Sequence, residues 1–83
     1  MKWRQVDNKL YCQFVFKNFK EALEFVNKVG ELAEKKNHHP DICICYNKVD
    51  LVLWTHETKN ITDKDYKLAH LVSELVASSS SVE

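Results

Sequence analysis

The segment from Phe19 to about Lys36 does most to constrain how this chain folds. Phe19, Ala22, Leu23, Val26, Val29, Gly30 and Ala33 recur at helical spacing, and Lys20, Glu21, Glu24, Asn27, Lys28, Glu31 and Lys35 fill the opposite face. Phe25 and Leu32 widen the apolar arc to about half the circumference, which predicts more than one packing partner. Pro40 forbids continuation, because proline lacks a backbone N–H and holds the residue before it extended. Two adjacent imidazoles, His38 and His39, lie between the helix and that proline.

The flanking segments read as strands. Trp3 to Val6 and Leu10 to Phe16 are joined by the polar turn Asp7-Asn8-Lys9, and Leu10, Cys12, Phe14 and Phe16 alternate onto one face. Ile42 to Tyr46 and Val49 to Thr55 form a second pair across Asn47-Lys48. A last helix starts at Thr62, an N-cap residue with Asp65 in the capping-box position. Its stripe of Tyr66, Ala69, Val72, Ser73 and Val76 is expected to face the sheet, leaving Leu68, Leu71 and Leu75 for another surface. The order ββαββα predicts an α+β fold of two layers, a four-stranded antiparallel sheet with both helices on one face. At 83 residues the chain reads as a single domain over residues 1–78, with 79–83 a disordered polar tail.

Composition narrows the function. Twelve basic and twelve acidic side chains balance, which argues against direct nucleic-acid binding through phosphates. No run approaches a membrane span, and no apolar leader follows Met1, so a cytoplasmic protein is expected. Cys43 and Cys45 stand two apart on one strand face and are expected to be reduced thiols. Their spacing is unlike that of zinc sites, so no metal is expected.

The second hairpin draws the histidines together. With Asn47-Lys48 as a two-residue loop, opposed residues have numbers summing to 95: Ile44 faces Leu51, Ile42 faces Leu53, Asp41 faces Trp54 and His39 faces His56. Directly opposed Cβ atoms lie about 4.5–5.5 Å apart, so His39 and His56 would reach one small ligand on the sheet face away from the helices. Glu34 precedes His38 by four residues, which allows its carboxylate to approach that imidazole. Three histidines near neutral pKa can both donate and accept protons.

Glu34-x3-His38-His39-Pro40, followed by Tyr46, His56 and Asp65 at their spacings, resembles the signature of the pterin-4a-carbinolamine dehydratases. Phe14-x-Phe16 with Phe19 and Ala22, the run Tyr46-Asn47-Lys48-Val49, the Thr55-His56 pair and Ile61-Thr62-x-x-Asp65 before Leu68-Ala69 extend the likeness from about Trp3 to Val76. Two departures are Ile42, where the family often has tryptophan, and Asn60, where a glycine commonly precedes the last helix.

The resemblance implies a hydro-lyase that expels water from 4a-hydroxytetrahydrobiopterin, giving quinonoid dihydropterin, with no cofactor. It implies that His38, His39 and His56 are catalytic, with Glu34 tuning His38, and with Pro40, Trp54 and Asp65 supporting a pterin substrate. It also implies a homodimer or homotetramer, and in some members a nuclear role as a dimerisation cofactor for homeodomain transcription factors through the helix face. The competing readings are therefore such a protein-binding module, or a metal-storing domain using the three histidines and Cys43.

Overall fold

The computed structural model describes residues 3–77, so the expected tail lies outside the described residues. Strands β1 (Arg4–Val6) and β2 (Lys9–Val15) precede helix α1 (Phe19–Lys36), then come β3 (Asp41–Cys45), β4 (Lys48–Leu53) and helix α2 (Asp63–Ala77). The four strands form one antiparallel sheet in the order β1-β2-β4-β3. The α+β architecture expected from the periodicities is the one observed.

The first hairpin closes through Asp7 and Asn8, both in left-handed backbone (φ 49° and 61°), as two-residue hairpin turns require. Lys9 belongs to the strand. The second hairpin differs from the expected register. Its loop is Tyr46-Asn47, with Tyr46 at φ 53°, and paired numbers sum to two less, setting Ile42 against Leu51 and Ile44 against Val49. A shift of two preserves which residues share a face, since side chains alternate with period two. The faces inferred from the sequence therefore survive, while the cross-strand partners change. Tyr46, expected to end the strand that starts at Ile42, sits in the turn instead and is 66% exposed.

Val49, Leu51 and Leu53 from β4 and Leu10, Cys12 and Phe14 from β2 make the sheet's covered face. Phe25 of α1 packs between Phe14 and Phe16, with ring centroids 4.9 Å from each. It is a core residue and not the flank residue the sequence suggested. Burying each such side chain contributes about 1.5–3 kcal/mol. In α2 the inward stripe is Asp65, Leu68, Ala69, Val72 and Val76, while Tyr66 is 54% exposed. Leu68 is therefore core, and Leu75 packs partly against it. The reason is rotational. Burying Asp65 turns the helix so that Leu68 replaces Tyr66 on the inner face.

Candidate active site

The end of α1 sets the direction of the two adjacent histidines. Asn37 adopts left-handed backbone (φ 51°), its N–H reaches the Glu34 carbonyl, and the His38 N–H reaches the Ala33 carbonyl at 3.1 Å. These two bonds form a Schellman motif, which asparagine supports because it tolerates the left-handed region. The helix therefore stops before His38, and His38 leaves the face on which Glu34 stands.

His38 turns instead to α2. Its Nε2 lies 2.5 Å from Oδ1 of Asp65, and the pair is 13% and 0% exposed. The other carboxylate oxygen, Oδ2, accepts the Thr55 hydroxyl at 2.9 Å and the Thr62 backbone N–H at 2.9 Å. The hydroxyls of Thr55 and Thr62 are 2.6 Å apart. Since the one Thr55 proton is used on Asp65, Thr62 must donate to Thr55. Three donors thus converge on one buried carboxylate, and the Thr62–Asp65 contact is the expected capping box in half form. The Thr62 hydroxyl is drawn away to Thr55.

With Nε2–H given to Asp65, the Nδ1 position of His38 decides whether the ring is a neutral base or a cationic acid. Glu34 pairs with His39 and not with His38, its Oε2 lying 2.5 Å from His39 Nε2, and both side chains are largely exposed. The expected Glu34–His38 contact is therefore corrected. It assumed a helix that continued, and Asn37 ends it. Pro40 follows as the half-buried residue entering β3.

His56 lies just beyond β4 in the loop closed by the Thr55–Asn60 bridge. Among that loop's residues it is Lys59, not Asn60, that takes left-handed backbone (φ 53°). The His56 ring stacks on Trp54 with centroids 4.0 Å apart and planes 24° from parallel. Because β3 begins at Asp41 and β4 ends at Leu53, the ladder does not set His39 against His56. The three histidines nevertheless share one cleft of about 310 Å³, lined by Asn37, His38, His39, His56 and Glu57.

Three partners were not legible as such beforehand: Asn37, Glu57 and Thr55. Thr55 had a signal. It continues the inward parity of Val49, Leu51 and Leu53, and a polar residue at an inward position requires a buried partner.

Among the described residues no group of three or more His, Cys, Asp or Glu side chains is placed to hold a metal ion. Cys43 and Cys45 are exposed on β3, and Cys12 is buried in the core. On the open face, the hydrogen bond from the Tyr11 hydroxyl to the Asp50 carboxylate holds the phenol above its ordinary pKa, with desolvation acting the same way. No helix among the described residues is long and apolar enough to cross a membrane.

The family model described as pterin 4 alpha carbinolamine dehydratase matches residues 1–75. A protein of Thermomicrobium roseum, provisionally named a pterin-4-alpha-carbinolamine dehydratase, is 51% identical over 75 residues, covering 90% of this chain and 81% of its own. A crystal structure from Brucella melitensis, described as a transcriptional coactivator/pterin dehydratase, superposes with a TM-score of 0.83 at 35% identity, covering 87% of this chain and 79% of that one. A pterin dehydratase-like RuBisCO assembly factor of the alpha-carboxysome superposes with a TM-score of 0.75 at 20% identity, covering 94% and 90%, and shares the fold. The chain is a member of the pterin-4a-carbinolamine dehydratase family, and its enzyme class is that of the hydro-lyases.

Proposed function

We propose that this chain dehydrates 4a-hydroxytetrahydropterins by histidine acid–base catalysis, and so takes part in recycling a tetrahydropterin such as tetrahydrobiopterin. The observation that carries the reading is the convergence of His38, His39 and His56 on one cleft, with His38 backed by the buried Asp65 carboxylate.

In the reaction the C4a–O bond breaks, and the hydroxyl leaves as water after taking one proton. The N5 lone pair forms the C4a=N5 bond and N5 gives up its proton, so donated and accepted protons balance. His38 as imidazolium supplies the proton to the hydroxyl, while Asp65 accepts from Nε2 and holds the ring in place. His56, which has no carboxylate partner among the described residues, accepts the N5 proton. His39, held by Glu34 at the cleft's rim, orients the substrate. Asp65 takes the part that the sequence assigned to Glu34.

The test is a dehydration assay on freshly formed 4a-hydroxytetrahydropterin, where slow spontaneous loss of water gives the baseline. His38→Ala and His56→Ala should each slow turnover about a hundredfold, with activity unchanged by exhaustive chelation. His70→Ala, on the exposed side of α2, is the control. Near-normal turnover in both active-site variants would falsify the assignment.

A second reading, a coactivator-type interaction through the helix face, is favoured by the exposed Tyr66 beside Leu71 and by the likeness to the Brucella transcriptional coactivator/pterin dehydratase. Loss of partner binding in a dehydratase-competent Tyr66→Glu variant would support it.

A further inference from the structure

Trp54 stands between the candidate cleft and the open face of the sheet, and three contacts fix its ring. The imidazole of His56 stacks on it at 4.0 Å. Its Nε1–H donates to Oδ2 of Asp41 at 3.2 Å. The Lys9 ammonium lies over the ring, 4.6 Å from the centroid. The register explains both anchors. Asp41 pairs with Val52, so Trp54 is its diagonal neighbour, within reach of a long side chain. Leu10 pairs with Leu53, and one step further that register sets Lys9 against Trp54.

The stacked imidazole, the ammonium and the Asp41 carboxylate all lie against the indole, which is thereby held from β2, β3 and the following loop. His56, by contrast, is exposed and sits past the end of β4. A side chain in such a loop samples several rotamers, and catalysis suffers when a reacting group is displaced by as little as about 1 Å.

We propose that Trp54 is a positioning residue for His56. Its indole is a plate anchored to β2 through Lys9 and to β3 through Asp41, and it confines the imidazole to orientations facing the cleft. The role rests on the dehydratase reading of that cleft, and it makes the β1–β2 hairpin part of the site's support.

The experiment pairs kinetics with a measurement independent of turnover. Trp54→Ala should lower kcat about tenfold while KM stays within about twofold, and Trp54→Phe, which keeps a flat ring, should recover most of the loss. In NMR spectra the His56 ring protons should be shifted upfield by the indole ring current in the wild-type chain and in Trp54→Phe, and should lose that shift in Trp54→Ala. An active wild-type chain indifferent to Trp54→Ala overturns the proposal. Unshifted His56 protons in the wild-type chain do so as well, as does a Trp54→Phe variant damaged as badly as Trp54→Ala with its upfield shift intact. An inactive wild-type chain overturns the dehydratase reading itself, an outcome separate from these three.

Discussion

His38 and Asp65 meet at 2.5 Å across 27 positions of sequence, one at the end of the first helix and the other in the first turn of the second. The contact ties the cleft to the core, because Asp65 also faces inward beside Leu68 and Ala69. The same carboxylate caps α2 through the Thr62 N–H and receives the Thr55 hydroxyl, so one buried acid serves helix, loop and cleft.

Asp65→Asn tests that arrangement. The amide keeps the shape but lacks the charge, and one of its ends becomes a donor towards Thr55, Thr62 or His38. Turnover is expected to fall about a hundredfold, and Tm by several degrees, on the scale of about 1–3 kcal/mol for an impaired buried hydrogen-bonding group. An unchanged kcat would remove Asp65 from the mechanism.

Glu34→Gln supplies the contrast. Its pair with His39 is exposed, and exposed ion pairs contribute little because solvent screens them. The variant should keep Tm within about two degrees and kcat within about fivefold. A loss as large as that of Asp65→Asn would restore Glu34 as the acid that matters.

Tyr46→Asn should stabilise the protein. Tyr46 sits at φ 53° with its ring largely in water, in a region that costs an ordinary L-residue about 1–2 kcal/mol and that asparagine visits readily. A thermal melt should rise by a few degrees. A fall would mean that the tyrosine ring is packed in an assembly.

Self-association is expected through the apolar groove that Leu71 and Tyr66 of α2 line with Lys67, His70 and, from α1, Lys36. Leu68 no longer contributes to such a surface, since the core takes it. Light scattering is expected to give a mass of two or four chains, lowered by Leu71→Glu. A single-chain mass at micromolar concentration refutes this.

The sequence by itself determined the elements, their order and the faces they bury. Helical spacing in Phe19 to Lys36 and alternation in Leu10 to Phe16 are local properties of the chain, and a slip of two in the second hairpin left the covered and open faces unchanged. The sequence also marked out the three histidines that line one cleft. Tertiary structure alone decided their partners. Asn37 in left-handed backbone took His38 off the face of Glu34, and burial of Asp65 turned α2 so that its acid faced inward and Tyr66 outward. Such pairings depend on a terminal dihedral and on the rotation of one helix about its axis. Both are set by how the layers pack against each other, and spacing along the chain does not encode that.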